Sequence, residues 1–237
     1  EEELRQKPQL PAIPADSEEV IDDIFNDEYD DDHTHAKGLL LEVKQRDLSL
    51  LNGLEWLNDT VINMYMALIN DRAKQPGTTM PPVHCFNTHF LSKLQDKGFA
   101  GVKRWTRKFN LFEKNYVVVP VHLGNHWCAA VINVKEKRFE YYDSLGGRNT
   151  AVLKTLRDYL QEEHISKTGQ PLDFSEWTDY TPGTMCPQQN NCSDCGVFLC
   201  QFSEYRSRGA DLTFSQADMP YFRRRIVHEI LQMKLMA

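Results

Sequence analysis

Residues 188–199, QQNNCSDCGVFL, decide how this chain folds around its most reactive side chain. The first half of the stretch is polar and predicts a loop, while the apolar run after Cys195 predicts the first turn of a buried helix. A helix N-terminus carries a partial positive charge, which stabilises a thiolate. Cys195 is therefore a candidate nucleophile. Cys128 and Cys200 lie among apolar residues, and we expect both to be inert core thiols.

A predicted β-hairpin upstream brings an imidazole and a carboxylate together. A two-residue loop at 135–136 sets a register that places Cys128 opposite Asp143. Because side chains alternate along a strand, His126 shares a face with Cys128 and is the diagonal neighbour of Asp143, about 7–8 Å away between backbones. At that distance the carboxylate can hold the imidazole by its far N–H and fix its orientation.

Gln189 lies six residues before Cys195, in the same predicted loop. Its side-chain amide and the backbone N–H of Cys195 can both donate hydrogen bonds to an oxyanion. Taken singly, a histidine at a strand edge, an aspartate after a strand and a glutamine in a loop usually have no catalytic role. A thiol at a helix start with all three in reach favours a thiol protease.

Composition and charge narrow the function further. Of 237 residues 41% are hydrophobic, enough for a sizeable core, and no apolar run approaches the ~20 residues that span a membrane. The first 35 residues hold 13 acidic and two basic side chains; the rest hold 21 acidic and 25 basic ones, a net charge of +4. A net charge of +4 on the residues after the first 35 is compatible with an acidic protein partner, but it is too small to indicate nucleic-acid binding.

The six cysteines are typical of free thiols in a reducing compartment, because disulfide frameworks are commonest in short secreted chains. The opening Glu1-Glu2-Glu3 has no signal-peptide pattern. We expect the chain to be the C-terminal part of a longer protein in the cytosol or nucleus.

The hydrophobic periodicity predicts an α+β fold with a central, mostly antiparallel sheet flanked by helices. Residues 1–16 are polar and Pro-rich, and we expect a linker there, followed by a single domain over 17–237. The predicted helices lie at 16–29, after Asn58, at 88–94, after Asn149, from Ser193 or Asp194 to Tyr205, and from Pro220; the predicted strands lie at 39–43, 116–121, 127–134 and 138–142.

Five motifs carry a family resemblance. They are WLND at 56–59, VKRWT at 102–106, HLGNHWC at 122–128, YYDSLGG at 141–147 and PQQNNCSDCG at 187–196. Together, and in this order, they resemble the SUMO-specific (sentrin-specific) cysteine proteases, from about residue 18 to the end of the chain. The similarity is closer to the enzymes that mature and remove SUMO than to the deneddylating branch.

The resemblance implies a papain-like fold in which Cys195, His126 and Asp143 form the catalytic triad and Gln189 contributes to the oxyanion hole. It implies no metal or organic cofactor. It further implies a thiol protease that trims SUMO precursors after their C-terminal Gly-Gly and cleaves SUMO–lysine isopeptide bonds. A Nedd8-specific protease of the same fold, a related acyl transferase and an inactive module that binds ubiquitin-like proteins are the alternatives.

Substrate-binding residues also follow from the resemblance. Trp56 and Trp127 match the walls of a narrow tunnel, which suits Gly-Gly because only glycine lacks a Cβ that would clash beneath two indoles. His122 matches a position that faces this channel. Asp59 and Arg104 match positions that contact the body of the ubiquitin-like protein.

The remaining expectations concern partners and location. From its composition alone, the basic cluster around Trp105 that contains Arg104 could be solvated or bind RNA, whereas the resemblance implies an acidic protein surface. We expect SUMO and SUMO-conjugated proteins as partners, with no metal, nucleic acid or membrane, and a monomer. By analogy with the family, we expect a nuclear protein, with the nuclear envelope or cytoplasm as alternatives.

Two positions depart from the family pattern. Cys192 stands where relatives usually carry glycine, and His89 where many carry an aromatic residue that touches SUMO. Cys192 also forms a Cys-x-x-Cys spacing with Cys195. We do not favour a zinc finger, because no second pair of ligands follows at finger spacing. A second hypothesis is that Cys192 resolves an oxidised Cys195 as a disulfide.

Overall fold

The protein is described by a computed structural model over residues 9–236, in which helices surround a central sheet. The elements are, in chain order, α1 (Ala15–Phe25), β1 (Thr34–Gly38), β2 (Leu41–Lys44), α2 (Gln45–Leu48), α3 (Asp59–Arg72), β3 (Val83–Cys85), α4 (His89–Val102), β4 (Tyr116–His122), β5 (Trp127–Asn133), β6 (Arg138–Tyr142), α5 (Thr150–Thr168), β7 (Thr178–Tyr180), α6 (Cys195–Ser207) and α7 (Met219–Leu231).

The central sheet has five strands in the order β3-β4-β5-β6-β7. The two long inner pairings, β4 with β5 and β5 with β6, are antiparallel, while the short outer strands β3 and β7 pair in parallel. The sheet is therefore mixed with an antiparallel centre. The predicted α+β class is confirmed.

Each face of the sheet is covered by its own set of helices, because side chains of β4 and β5 alternate between two apolar cores. Val118, Ala129 and Val131 join the core formed with α1, α3, α6 and α7. Val119 and Ile132 join the core formed with α4 and α5. Helix α6 is buried along almost its whole length, and its buried carboxylate Glu204 is paired with Arg72 and Arg208.

Local capping signals predicted the helix starts well. The Asn58 side chain accepts a hydrogen bond from the backbone of Val61 at the start of α3, and Asn149 accepts one from Val152 at the start of α5. Both bonds satisfy a backbone N–H that lacks a partner within the helix.

The structure differs from prediction at several elements. The predicted strand at 39–43 is instead the turn and second strand of a hairpin, since Leu39 and Leu40 have φ values of +51° and +66°. Leucines rarely adopt this conformation, so no local turn signal exists. Helix α4 extends past residue 94 and is interrupted at Gly98, whose φ is +60°. The three-residue strands β3 and β7 are too short to show a period.

The N-terminal segment contacts the domain. Ile13 is buried in the core under α1, and the hydroxyl of Tyr221 donates to the carbonyl of Pro11. Helix α1 begins at Ala15, inside the predicted linker 1–16, of which residues 1–8 lie outside the described part of the chain. Within residues 9–236, no helix is long and apolar enough to cross a bilayer.

Candidate active site

The β5–β6 hairpin brings His126 and Asp143 into contact. Its register runs from Asn133 opposite Arg138 to Ala129 opposite Tyr142, which is the predicted register. Asp143 lies one residue after the paired segment of β6 and His126 three residues before that of β5. There His126 Nε2 lies 2.6 Å from Asp143 Oδ1. The short loop thus determines which carboxylate meets the imidazole.

A glycine turn wraps the Asp143 carboxylate. The backbone N–H of Leu145 donates to Oδ1 at 2.8 Å, and a Cβ at position 147 would collide with Oδ2, so only glycine fits there. Burial disfavours ionisation, but the hydrogen bonds from His126 and Leu145 outweigh it and hold the pKa of Asp143 below its ordinary value. Asp143 is therefore a carboxylate at neutral pH.

The partners of His126 favour its protonated form. The hydrogen bond to Asp143 is the largest of the effects that raise the pKa of His126 well above its ordinary value. Contacts with the thiols of Cys128 and Cys195 act in the same direction, while partial burial opposes them. Because Nε2 is held by Asp143, the opposite ring nitrogen is the one available to Cys195.

Cys195 is the first residue of α6 and is buried, with 3% of its surface exposed. The next residue must be glycine, because a Cβ at position 196 would lie 2.9 Å from the side chain of Leu57. This close approach joins the start of α6 to the segment that carries Trp56. The thiol thus lies at a helix N-terminus and contacts the imidazole of His126.

A buried ion pair between Asp194 and Arg223 holds the loop before Cys195 against α7. Asn191 Oδ1 accepts from the backbone of Asp194, and the Asp194 carboxylate accepts from Arg223 Nε at 2.9 Å. Arg223 also donates to the carbonyls of Leu50 and Glu55, just before Trp56. Arg223 is 3% exposed, so one guanidinium links the nucleophile loop, α7 and the segment before α3. Sequence analysis missed this link, although a basic residue beside Phe222 in an apolar helix stripe was a usable signal.

Replacing Arg223 with methionine is expected to lower the free energy of unfolding by about 3–5 kcal/mol, because the Asp194 carboxylate is left buried without its cation. Urea denaturation measures the change. Arg224, the next residue, pairs with Glu18 and Asp22 at the surface. The control Arg224→Met should cost less than about 1 kcal/mol. Equal losses in the two variants would contradict the role assigned to Arg223.

Gln189 is held by neighbours of the catalytic residues. Its backbone N–H donates to the carbonyl of Ser144, and the Ser144 hydroxyl donates to Gln189 Oε1 at 2.5 Å. These bonds fix the orientation of the side-chain amide. Its NH₂ group donates one hydrogen bond to the carbonyl of Asn191, and its second hydrogen can be donated to a substrate. Ser144, which follows Asp143 directly, therefore positions Gln189, a role that sequence analysis missed. The oxyanion-hole role of Gln189 stays a prediction.

Replacing Gln189 with alanine is expected to lower kcat by about 10²–10³ with a much smaller change in KM, because an oxyanion donor acts mainly in the transition state. Steady-state cleavage kinetics measure both constants. The neighbouring Gln188 donates to loop carbonyls such as that of Cys186, so Gln188→Ala is a matched control and should stay within about tenfold of the parent. A KM effect without a kcat effect would contradict an oxyanion role.

Cys128 is a fully buried core thiol, as expected, but it also lies beside His126 and Asp143. Its sulfur and ligand atoms of those two residues are all within 4.8 Å of one another. Its thiol has hydrogen-bond contacts with His126 and Tyr141, and burial is the main cause that raises the pKa of Cys128. The predicted register had already placed it opposite Asp143. Cys200, in contrast, is buried in the core as expected.

Residues 55–235 match the model of the Ulp1 protease family, C-terminal catalytic domain. The chain belongs to this family. A sentrin-specific protease of Caenorhabditis elegans is 49% identical over 197 residues, 83% of this chain and 28% of that protein. Mouse sentrin-specific protease 2 is 40% identical over 207 residues, 86% of this chain and 35% of that protein. The chain thus spans about a third of the length of these relatives.

Solved structures agree with this assignment. The Ulp1 protease domain in complex with Smt3, the yeast orthologue of SUMO, superposes with a TM-score of 0.80 at 28% identity, covering 95% of this chain and 98% of that one. Ulp1 with its catalytic cysteine oxidised to a sulfenic acid matches with the same TM-score and coverage at 29% identity. The predicted papain-like protease fold is confirmed.

In this Ulp1-family domain, the two predicted tunnel tryptophans border the catalytic residues. Trp127 begins β5, directly after His126, and its ring lies 4.2 Å from that of its cross-strand partner His122. Trp56 is 52% exposed, an unusual state for an indole, and precedes the Leu57 that contacts the start of α6. The tunnel itself stays a prediction.

The other two predicted binding residues lie at opposite ends of α4. Asp59 opens α3 and lies 3.6 Å from Nε2 of His89, the first residue of α4, with both side chains exposed. Arg104 is exposed in the helical turn that follows α4. Helix α4, with its interruption at Gly98, lies between the two positions. They therefore do not form one cluster of neighbouring residues.

Peroxide treatment is expected to join Cys192 to Cys195 in a disulfide. Cys192 is exposed and lies three residues before Cys195. Peroxide would convert the Cys195 thiolate to a sulfenic acid, which the Cys192 thiol attacks with loss of water. Mass mapping after brief treatment detects the bridge. Sulfinic or sulfonic acid at Cys195 with Cys192 unchanged would exclude the hypothesis.

Proposed function

We propose that this chain is the catalytic domain of a cysteine protease that cleaves the bond after the C-terminal Gly-Gly of SUMO. The bond would be a peptide bond in a precursor or an isopeptide bond to a lysine in a conjugate. The observation that carries the proposal is the contact series Cys195–His126–Asp143, with its 2.6 Å hydrogen bond, at the start of a buried helix. The relatives named sentrin-specific proteases support SUMO as the substrate.

The geometry supports a two-step acyl transfer. The Cys195 thiolate attacks the terminal glycine carbonyl, and the oxyanion accepts hydrogen bonds from Gln189 and from the N–H of Cys195. His126, held as an imidazolium by Asp143, gives its proton to the leaving amine, and a thioester remains. His126, now neutral, takes a proton from water, which attacks the thioester and releases the Cys195 thiolate.

A selective groove for Gly-Gly follows from the aromatic residues beside the nucleophile. Trp127 is half-buried against His122, and Trp56 stands exposed on the segment that packs on Gly196. A chain that passes between two indoles to reach a buried sulfur must be thin, and glycine is the only residue without a Cβ. Any larger residue at either position of the pair would keep the carbonyl away from Cys195.

The body of SUMO would bind along α4. The exposed carboxylate of Asp59 at one end and the exposed guanidinium of Arg104 at the other offer opposite charges to a complementary protein surface. Lys103, Arg107 and Lys108 extend the basic end and favour an acidic patch on the partner. These contacts would place the flexible C-terminus of the substrate at the site.

Probes that carry a C-terminal electrophile test this function. SUMO, Nedd8 and ubiquitin, each with a C-terminal propargylamide, are incubated separately with the protein, and covalent adducts are resolved by gel and mapped. Labelling of Cys195 by SUMO alone is expected, and Cys195→Ala should remove it. Labelling by Nedd8 alone would support the Nedd8 alternative, and labelling by none of the three would support a binding module.

A further inference from the structure

A third ligand-type side chain stands beside the catalytic pair. Among residues 9–236, one group of three or more His, Cys, Asp or Glu side chains brings its ligand atoms within 4.8 Å of one another: His126, Cys128 and Asp143. The proposed protease reaction uses two of them and leaves the Cys128 thiol without a chemical role. An imidazole nitrogen, a thiol sulfur and a carboxylate oxygen are the three kinds of ligand that zinc binds.

The spacing suits a tetrahedral ion after a small adjustment. Ligand bonds of about 2.0–2.3 Å place the ligand atoms of a tetrahedral zinc about 3.3–3.6 Å apart. The present separation of 2.6 Å between His126 Nε2 and Asp143 Oδ1 must therefore widen by under 1 Å. Cys128 is fixed by its position in β5, and Asp143 follows the last residue of β6, so both ligands project from a rigid sheet.

Two further features favour an ion here. The side chains of His126 and Asp143 are 13% and 8% exposed, so the site is mostly buried but can still be reached from solvent. Three protein ligands leave the fourth tetrahedral position for a water molecule. Carboxylate and thiolate together neutralise the charge of the ion.

We propose that His126, Cys128 and Asp143 bind a zinc ion that reversibly inhibits the enzyme. The inhibition, though not the binding, rests on the proposed protease function. Zinc would replace the proton shared by His126 and Asp143, and a second proton would leave the Cys128 thiol, so the net charge of the site is unchanged. The zinc-bound imidazole keeps one N–H, and it cannot give up that proton to a leaving amine without becoming an imidazolate. Zinc thus removes the general acid while Cys195 stays in place.

Metal binding is measured first, without any substrate. Purified protein is titrated with zinc in competition with a chromogenic chelator, and with cobalt, whose thiolate complexes have a near-ultraviolet charge-transfer band. We expect one ion per chain, a cobalt–thiolate band, and at least tenfold weaker zinc binding without the band in Cys128→Ser. The band and the affinity should survive in Cys195→Ala and in Cys200→Ser, which changes another buried thiol.

Inhibition is measured next on a fluorogenic SUMO substrate, with each variant compared with its own metal-free rate. Zinc should inhibit the parent, a chelator should restore it, and Cys128→Ser should raise the inhibitory zinc concentration at least tenfold. Cys128→Ala replaces Cys128→Ser if the serine variant is unfolded by circular dichroism. Unchanged binding in the Cys128 variant, or a band lost only in Cys195→Ala, would overturn the proposal. Failure of SUMO turnover alone would leave the binding result intact and count only against the protease function.

Discussion

Replacing Cys195 with serine is expected to lower kcat by at least about 10⁴-fold, toward the residual rate that binding and the oxyanion donors provide without a nucleophile. A helix N-terminus and the imidazolium of His126 lie beside position 195. Neither feature ionises an alcohol, whose proton is held far more tightly. Single-turnover cleavage of a SUMO fusion measures the loss.

Two controls separate this chemical effect from damage to the fold. Cys200→Ser makes the same substitution five residues later in α6, at a fully buried position away from the site. It is expected to cost some stability and to leave turnover within about tenfold. Cys195→Ser should also still bind the SUMO body, since the surface proposed to bind it lies along α4. Undiminished turnover in Cys195→Ser would exclude the proposed mechanism.

Replacing Asp143 with alanine is expected to lower kcat/KM by about 10²–10⁴, because the imidazole loses its orientation and its anionic partner. The pH profile should change as well. In the parent, the raised pKa of His126 keeps the imidazolium present as the pH rises, so activity persists into the alkaline range. Without Asp143 that pKa falls, and the alkaline limb of the profile should move to lower pH.

Asp143→Asn separates charge from orientation. The amide oxygen can still accept from the backbone of Leu145, so we expect a smaller loss of rate than in the alanine variant but a similar shift of the alkaline limb. Asp179→Asn, which removes an exposed carboxylate paired with Arg157, is the matched control and should leave the profile unchanged. An alkaline limb that stays in place in both Asp143 variants would exclude the assigned role of this carboxylate.

The contacts that could be predicted are those between neighbours along the chain. The two-residue loop at 135–136 sets the hairpin register, so the pairing of His126 with Asp143 followed from counting residues. Asn58 and Asn149 were recognisable as caps because a cap contacts backbone two or three residues away. The change from polar to apolar residues predicted a start of α6 at Ser193 or Asp194, one or two residues before the observed start at Cys195.

Contacts between distant segments could not be derived in this way. Ser144 and Gln189 are 45 residues apart, and Asp194 and Arg223 are 29 apart, yet these pairs hold the oxyanion donor and the nucleophile loop. Each pair depends on where one helix or loop packs against another. That packing is the sum of many weak apolar contacts and leaves no period or spacing in the sequence.

The chain's local pattern was therefore sufficient to pair His126 with Asp143 and to place Cys195 in the first turn of a helix, because strand register and a change from polar to apolar residues act over few residues. Packing of the whole molecule was needed to reveal the guanidinium under the nucleophile loop, the serine that orients Gln189 and the thiol of Cys128 behind the imidazole. The physical reason is the separation along the chain over which each interaction acts. Hydrogen-bonded turns and strand register act between neighbours, whereas burial of a charge or a thiol depends on every element that surrounds it.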